Sequence, residues 1–329
     1  MASSFITFVM KIVVWVSLIT IVSPATTTIA PKEEAKALLN WKASGSYFPD
    51  SWNANDTRPC KWEGIVCNAV GRVTVLDLSH SFVVAELDRL NFSSFQYLVR
   101  LDLSWNDGYY FGNPTTGIWG TIPDDIGMLS KLTHLFLSRN RINGPIPREI
   151  VNLKNLNQLD LSYNWITGSI PREIRNLKNL NQLYLSDNSI NGSIPPEIGN
   201  LKNLNQLGLG GNMLFGSIPT QILNLENLKE LRLGSNMLSG SIPPQIGNLR
   251  NLNQLDLSYN WITGSIPREI RNLKNLNQLY LSDNSINGSI PPEIGNLKNL
   301  NQLGLGGNML FGSIPTQILN LENLKELRD

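Results

Sequence analysis

Leucine recurs at a fixed interval along most of the chain. From Leu129 onward a leucine opens the same phrase every 24 residues, at Leu153 and so on to Leu321. Within each phrase a stretch such as residues 159–161 alternates apolar and polar positions, which is typical of a strand with one buried face. A single copy has nothing to bury its leucines against, so the copies must stack on one another. The pattern therefore predicts one elongated solenoid whose strands form a parallel sheet.

Each phrase also carries an asparagine after its strand, followed by a Gly-x-Ile-Pro segment. An amide side chain can satisfy backbone groups in a tight turn that ladder hydrogen bonds do not reach, so we interpret this asparagine column as structural. The segment after each proline, such as residues 172–176, is too short for a full helix and predicts a single 3₁₀ or helical turn. The column consists of Asn140, Asn164, Asn188, Asn212, Asn236, Asn260, Asn284 and Asn308.

The register continues upstream with lower fidelity through Leu101 and Leu76. It predicts about ten coils over residues 70–329, the last of them incomplete. The copy that follows Asn106 is longer than the others and predicts a protruding loop. Residues 155–232 recur without change as residues 251–328, which indicates a recent duplication.

Charge and reactive side chains narrow the function classes. With 27 Lys+Arg against 26 Asp+Glu, no global charge favours nucleic acid or an anionic membrane. No catalytic constellation or kinase signature stands out, so neither an enzyme activity nor a cofactor is predicted. Two cysteines and two histidines are poorly suited to a tetrahedral zinc site, so no metal is predicted.

The N-terminus predicts entry into the secretory route. An apolar run at residues 12–22, followed by Ser23-Pro24-Ala25, is typical of a signal peptide over residues 1–25. The run is shorter than the ~20 residues of a membrane span, although an extension back to Phe5 leaves an uncleaved anchor open. In a secreted chain the even cysteine count predicts a disulfide between Cys60 and Cys67. Sequons predict N-glycans at Asn55, Asn91, Asn191 and Asn287.

These phrases resemble a known family. The repeat LYLSDNSINGSIP at residues 183–195 is similar to the plant-specific class of leucine-rich repeats. The segments ALLNWK (37–42), SWN (51–53) and PCKWEGIVC (59–67) resemble the N-terminal cap of that class, over residues 31–69. Together they resemble the ectodomains of plant leucine-rich-repeat receptor-like kinases and receptor-like proteins.

The resemblance implies a leucine-rich-repeat solenoid, a horseshoe or right-handed superhelix with a parallel sheet on its concave face and short 3₁₀ turns on its convex face. It also implies an extracellular domain that perceives a peptide or protein ligand or binds a co-receptor. The serine/threonine kinase and membrane helix of such receptors have no counterpart in this sequence. We therefore expect membrane association only through a missing C-terminal region or an uncleaved signal peptide.

Solvent-facing residues of the predicted sheet are the candidate ligand contacts. Tyrosines beside carboxylates and amides suit a polar peptide, because aromatic anchors with a polar rim dominate many interfaces. An ordinary solvated face is the alternative interpretation. The candidates are His134, Phe136 and Arg139; Gln158, Asp160 and Tyr163; Gln182, Tyr184 and Asp187; Glu230 and Arg232; and, in the duplicate, Asp256, Tyr259, Tyr280 and Asp283.

Two further functions stay open. One is a freely secreted inhibitor of microbial cell-wall-degrading enzymes, similar to plant polygalacturonase inhibitors. The other is ice binding, which a regular array of polar side chains at the strand spacing of roughly 4.7–4.9 Å would suit. That array consists of Asn157, Asn181, Asn205, Asn253, Asn277 and Asn301.

Overall fold

The computed structural model describes residues 29–107 and 117–328. The predicted signal peptide therefore lies outside the described residues. So does most of the predicted loop, at residues 108–116.

The described chain begins with a capping unit built around a helix and three tryptophans. Helix α1 (Ile29–Ala43) places Trp41 against the following coils, where the residue is fully buried. The indole nitrogen of Trp41 donates a 2.8 Å hydrogen bond to the carbonyl oxygen of Glu86. Trp52 stacks on Trp62 with ring centroids 5.7 Å apart. These rings cover the apolar end of the first coil, which is what a solenoid cap must do.

A disulfide and a buried ion pair close the cap. Cys60 and Cys67 are bonded, with their Cα atoms 5.5 Å apart, so the predicted pairing is confirmed. The carboxylate of Glu34 is fully buried and accepts hydrogen bonds from Arg72 Nε at 2.9 Å and from the backbone nitrogen of Val73 at 3.1 Å. A buried carboxylate needs such partners, because an unpaired charge inside a protein is costly.

Successive coils contribute one strand each to a sheet that we call the inner sheet. Neighbouring strands pair in one-to-one register, so that Leu183 lies beside Leu207 and Leu207 beside Leu231. The first strand pairs antiparallel with the second, and the other pairs are parallel. Among the described residues the parallel strands number eleven, close to the ten coils predicted. The strands are Ile65–Cys67, Val73–Asp77, Arg100–Asp102, His134–Phe136, Gln158–Asp160, Gln182–Tyr184, Gln206–Gly208, Glu230–Arg232, Gln254–Asp256, Gln278–Tyr280, Gln302–Gly304 and Glu326–Arg328.

A second set of strands was absent from the sequence-based expectation. The segment between each column asparagine and its proline forms a short strand, and these strands pair into two lateral sheets. Glycine ends many of them at positive φ, as Gly216 does at 82°. One lateral sheet contains Ala85–Glu86, Ile118–Thr121, Arg141–Pro145 and Trp165–Thr167; the other contains Asn191–Ser193, Met213–Gly216, Met237–Ser241, Trp261–Gly264, Ser285–Gly288 and Met309–Leu310.

Short 3₁₀ helices occupy the side opposite the inner sheet, as predicted. Most begin directly after the proline of the Ile-Pro pair, which is the N-cap residue and has an extended backbone. They are Asp124–Met128, Arg148–Asn152, Arg172–Asn176, Pro196–Asn200, Ile222–Asn224, Pro244–Asn248, Arg268–Asn272, Pro292–Asn296 and Thr316–Asn320, with Pro59–Lys61, Leu87–Arg89 and Phe92–Ser94 nearer the cap.

Leucine and isoleucine side chains fill the space between the sheets and the 3₁₀ helices as one continuous cluster. The asparagine column borders this core and has the structural role predicted for it. Asn212 donates from its amide nitrogen to the carbonyl oxygens of Leu185 and Leu209 at 3.0 and 3.1 Å. Its amide oxygen accepts a 3.0 Å hydrogen bond from the backbone nitrogen of Ile190. Each such residue thus ties its own coil to the coil before it.

Candidate ligand-binding surface

The inner sheet presents its outward side chains as three parallel columns. From Arg100–Asp102 onward each strand has three residues. The central leucine is buried and the flanking two positions are on the outward side, as in Gln182-Leu183-Tyr184. A third outward position follows in the turn after the strand. Because the strands pair in one-to-one register, equivalent residues of neighbouring coils lie beside each other, about 4.8 Å apart.

The first column is built mainly of amides, and some of its neighbouring members are hydrogen-bonded to each other. We call it the glutamine column: His134, Gln158, Gln182, Gln206, Glu230, Gln254, Gln278, Gln302 and Glu326. Gln182 donates to Gln206, which donates in turn to Glu230 at 2.9 Å. These contacts link side chains of neighbouring coils before any ligand arrives. Such an array offers a ligand oriented polar groups at a reduced entropic cost of ordering them.

The second column alternates aromatic, charged and small residues. We call it the mixed column: Phe136, Asp160, Tyr184, Gly208, Arg232, Asp256, Tyr280 and Gly304. One oxygen of Asp256 accepts from the backbone nitrogen and hydroxyl of Ser258 at 3.0 and 2.6 Å, and Asp160 binds Ser162 in the same way. The aspartates therefore also hold the turn after their strands. Burial, followed by the nearby charge of Glu230, raises the pKa of Tyr184 to about 12, so its hydroxyl keeps its proton.

The third column, which we call the turn column, corrects the placement of five candidates. The sequence predicts Arg139, Tyr163, Asp187, Tyr259 and Asp283 on the outward face of the sheet. They instead lie in the turn after it, in left-handed backbone with φ between 53° and 56°. The strands end three residues earlier because the chain there turns to bring the column asparagine inward. The full turn column is His80, Trp105, Arg139, Tyr163, Asp187, Gly211, Ser235, Tyr259, Asp283 and Gly307.

The first part of the turn column is a continuous stack. The rings of His80 and Trp105 stack with centroids 5.1 Å apart. The guanidinium of Arg139 lies 4.1 Å from the ring centroid of Trp105 and 4.1 Å from that of Tyr163. Desolvation raises the pKa of Asp187. A hydrogen bond from Tyr163 and the charge of Arg139 act in the opposite direction and limit this rise. Arg139, Tyr163 and Asp187, candidates from three successive coils, therefore lie next to one another in the folded chain.

His80 and Trp105 were missed as members of this stack. Both belong to coils that depart from the 24-residue spacing. Trp105 nevertheless directly precedes Asn106, and His80 precedes Ser81, which occupies the asparagine position of its coil. The rule that the turn-column residue precedes the column asparagine would have found both.

The N-terminal end of the surface carries a histidine beside one cation, Arg100. His134 pairs in the ladder with Arg100, whose guanidinium lies 4.7 Å above the ring of Phe136. The ring nitrogen Nδ1 of His134 is 2.7 Å from the hydroxyl of Thr133. Burial, followed by the charge of Arg100, lowers the pKa of His134, which favours its neutral form.

A polar groove of about 870 Å³ runs along the edge of the glutamine column. Its walls are two files of asparagines, which we call the asparagine files. The inner file contains Asn157, Asn181 and Asn205, and the outer file contains Asn155, Asn179, Asn203, Asn227 and Asn251. Hydrogen bonds to the preceding coil hold the outer file: Asn179 donates from its amide nitrogen to the carbonyl oxygen of Lys154 at 2.9 Å, and Asn203 donates likewise to Lys178. The groove is lined by Thr133, His134, Asn155, Asn157, Asn179, Asn181, Asn203, Asn205, Asn227, Lys229 and Asn251.

The predicted glycosylation sites lie away from the inner sheet. Asn191 and Asn287 are exposed on strands of a lateral sheet, and Asn55 is exposed in the cap. Asn91 is exposed but begins a 3₁₀ helix, where its side-chain oxygen accepts from the backbone nitrogen of Ser93 at 3.2 Å. Glycans at these positions would leave the three columns open.

Two further structural tests concern a metal and a membrane. Within residues 29–107 and 117–328, no three His, Cys, Asp or Glu side chains gather in a way that could hold a metal ion. In the same part of the chain, no helix has the length and apolar character to cross a bilayer.

Family models match most of the chain. Residues 31–68 match the leucine-rich-repeat N-terminal domain, residues 79–233 a leucine-rich-repeat region, and residues 226–286 the leucine-rich repeat. The matched residues thus form a repeat scaffold and not a catalytic domain.

Curated relatives are plant receptors that are much longer than this chain. The leucine-rich-repeat receptor-like serine/threonine-protein kinase RGI4 of Arabidopsis thaliana is 40% identical over 115 residues, which is 34% of this chain and 10% of that protein. The chain therefore spans about a tenth of the length of such relatives.

Solved plant receptor ectodomains share the fold. The ectodomain of the receptor kinase GASSHO1/SCHENGEN3 of Arabidopsis thaliana, in complex with CASPARIAN STRIP INTEGRITY FACTOR 2, superimposes with a TM-score of 0.82 and 32% identity, over 91% of this chain and 35% of that one. The Arabidopsis receptor kinase HAESA, in complex with the peptide hormone IDA and the co-receptor SERK1, gives a TM-score of 0.74 and 30% identity, over 90% of this chain and 53% of that one.

A plant ice-binding protein has a similar fold as well. It superimposes with a TM-score of 0.69 and 27% identity, over 90% of this chain and 94% of that one. The same scaffold thus occurs in proteins with different functions, so the function must be argued from the surface.

Proposed function

Because the chain belongs to the leucine-rich-repeat family, we propose that it is the extracellular ligand-binding domain of a plant receptor-like kinase or receptor-like protein. Its inner sheet binds a peptide or an extended protein segment. The cap disulfide and the exposed sequons support an extracellular location. A second leucine-rich-repeat chain acts as co-receptor, by analogy with the HAESA complex that contains SERK1.

The observation that carries this proposal is the alignment of outward side chains into three columns across the coils. An extended peptide rises about 3.3 Å per residue, so roughly ten of its residues cross seven coils spaced about 4.8 Å apart. The mixed column would supply aromatic anchors at Tyr184 and Tyr280, each about half-buried, between polar neighbours. The glutamine column would supply hydrogen-bonding partners along one side. The candidate contact residues of the inner sheet and the turn column keep this role as part of the proposal.

The test selects peptides from a random display library on the secreted chain and maps the binding face. Substitution of both anchors, Tyr184→Ser with Tyr280→Ser, should weaken a selected peptide roughly tenfold or more, because such anchors typically contribute ~2 kcal/mol or more. The matched control is Trp165→Ser with Trp261→Ser, a duplicate pair of exposed aromatics on the lateral sheets. Loss of binding in the control pair alone, or failure to select any peptide, would contradict the proposal.

Ice binding is a second candidate, favoured by the likeness to the plant ice-binding protein. The asparagine files would be the contact surface, because coil stacking repeats their amides about every 4.8 Å. Lys229 interrupts the inner file, which counts against this function. Inhibition of ice recrystallisation by the chain, and its loss on Asn181→Lys with Asn205→Lys but not on Asn191→Lys, would support it. An inactive wild-type chain would exclude it.

A further inference from the structure

The turn column repeats regularly from coil to coil, so the coils whose side chain is too small to continue the stack can be identified. The backbone nitrogen of Asn212 donates to the carbonyl oxygen of Ser235 at 3.1 Å, and that of Asn236 donates to Tyr259 at 3.1 Å. The same bond links each coil to the next, so neighbouring members of the column are one coil apart, about 4.8 Å. A planar side chain, such as an aromatic ring or a guanidinium, therefore occupies the distance between one coil and the next in this column.

The protein already stacks one guanidinium in this column. Arg139 lies between the rings of Trp105 and Tyr163, 4.1 Å from each centroid. Beyond Tyr163, the carboxylate of Asp187 accepts a hydrogen bond from that tyrosine and interacts with the charge of Arg139. Aromatic faces and a nearby carboxylate both favour a planar, weakly hydrated cation.

The stack is interrupted at Gly211 and Ser235, which carry little or no side chain. The carboxylate of Asp187 leans over Gly211, since a Cβ atom built on this glycine would lie 2.6 Å from Asp187 Oδ1. Ser235 itself is exposed, so its place in the column faces solvent. On its far side stands Tyr259, the duplicate of Tyr163, with 61% of its surface exposed against 45% for Tyr163. We call this opening, bounded by Asp187, Gly211 and Tyr259, the Ser235 notch.

The charges around the notch favour a cation. The carboxylate of Asp256 lies against the neighbouring Gly234, whose Cβ would come within 2.8 Å of Asp256 Oδ1. The same coil carries two cations, Arg232 and Lys229, and Lys229 lines the polar groove instead. The guanidinium of Arg232 is engaged by Glu230 at 3.0 Å and by the side-chain oxygen of Gln254 at 3.0 Å. The Arg232–Glu230 pair is close to neutral, and the charge of Arg139 partly offsets that of Asp187. Asp256 therefore makes the surroundings of the notch acidic.

We propose that the Ser235 notch binds the guanidinium of an arginine side chain in the ligand, stacked on Tyr259 and facing Asp187. Ser235 and Tyr259 are the positions that correspond, 96 residues later, to Arg139 and Tyr163. The bound arginine would therefore lie against Tyr259 as Arg139 lies against Tyr163. This inference rests on the proposed function for the identity of the ligand as a peptide. The notch chemistry itself concerns only a guanidinium group, so it is testable without the natural ligand.

The direct test uses L-argininamide as the probe and L-citrullinamide as its uncharged control, with amide resonances followed by NMR on the full chain. Argininamide should shift the resonances of Gly211, Ser235 and Tyr259, and citrullinamide should not. Equal shifts with both probes, or no shift at these three residues with argininamide, would overturn the proposal.

A plugging variant supplies the second test. Ser235→Arg provides an internal guanidinium and should abolish the argininamide shifts at Gly211 and Tyr259. The fold should tolerate it, because Arg139 adopts the same left-handed conformation, with φ of 53° against 56° for Ser235. Ser239→Arg, on the lateral strand of the same coil, is the matched control and should leave the shifts unchanged. Shifts that persist in Ser235→Arg would place the probe elsewhere and overturn the proposal.

The two proposals fail in different ways. Library peptides that bind the inner sheet without arginine, and that argininamide does not displace, would overturn the notch assignment while the proposed function stands. Argininamide that binds at Ser235 while no peptide can be selected would support the notch and count against the proposed function.

Discussion

Asn164 donates a 3.0 Å hydrogen bond from its side-chain nitrogen to the carbonyl oxygen of Leu137, one coil earlier. The same nitrogen donates to Leu161 at 3.1 Å, and the side-chain oxygen accepts from the backbone nitrogen of Ile142 at 3.0 Å. One amide thus satisfies buried backbone groups of two coils. The strand register and the position of the turn column both depend on this link.

Replacing this residue should destabilise the solenoid. Asn164→Ala leaves the buried backbone nitrogen of Ile142 without a partner and removes one of two donors to the carbonyl oxygen of Leu137, which Asn140 still contacts. An unpaired buried group costs ~1–3 kcal/mol, so the free energy of unfolding in urea should fall by about that amount. Asn157→Ala is the matched control, because that side chain makes one exposed hydrogen bond, to Asn179. It should change the free energy of unfolding by less than about 0.5 kcal/mol. Equal effects of the two variants would refute the structural role of the column.

The stacked leucines should be locally coupled. Leu207→Ala removes a fully buried side chain between Leu183 and Leu231 and should cost ~2–5 kcal/mol through the cavity it leaves. In a repeat protein the loss falls mainly on the altered coil and its neighbours. Hydrogen exchange should therefore accelerate around residues 183–231 more than in the cap. Lys202→Ala, on the exposed side of the same coil, should have little effect, and a uniform acceleration along the chain would disagree with this expectation.

The sequence predicted the features that depend on one coil or on the contact between identical neighbours. The buried leucines, the asparagine column and the 3₁₀ turns each follow from a local requirement repeated at every coil. The lateral sheets were missed because their pairing is offset: Phe215 lies beside Met237, for example, which is 22 residues on rather than 24. Such a register cannot be read from a single repeat.

The candidate surface was predicted less completely, for a related reason. Glutamine and tyrosine positions on the strands follow from alternation. The turn column does not, because Arg139 and Tyr163 follow a buried serine and leave the period-two pattern. The stack of Trp105, Arg139 and Tyr163 joins coils of unequal length. Only in the folded chain does the guanidinium of Arg139 lie 4.1 Å from the ring centroids of both Trp105 and Tyr163.

The cap disulfide should stabilise the N-terminal end of the solenoid. Cys60→Ser with Cys67→Ser opens a bond between residues seven apart in the sequence, and chain entropy predicts a loss of about 2–3 kcal/mol for so short a loop. Because the cap covers the first coil, thermal unfolding should begin at the N-terminal coils in this variant. Arg58→Ala, which removes an exposed ion pair with Asp56 in the same segment, should change little. A disulfide variant that unfolds as the wild type does would assign the stability of the cap to its tryptophans and to the Glu34–Arg72 ion pair.

The charge of Arg100 should control the titration of His134. Burial and the charge of Arg100 hold the pKa of His134 in the folded chain below its ordinary value of 6.5. In the pH window between the folded-state pKa and 6.5, the folded chain therefore binds fewer protons than the unfolded chain. This contribution to stability is fully present above pH 6.5 and is lost as the pH falls through the window.

Arg100→Gln removes that charge and also releases Asp102 from a 2.6 Å ion pair, and both changes should raise the pKa of His134. The chain contains two histidines, so ring-proton NMR with His80→Asn assigns the resonance. Arg268→Gln removes an exposed arginine whose nearest acid, Glu293, is 3.9 Å away, and it should leave the titration of His134 unchanged. An unshifted titration in Arg100→Gln would mean that burial alone sets the protonation state at this end of the binding surface.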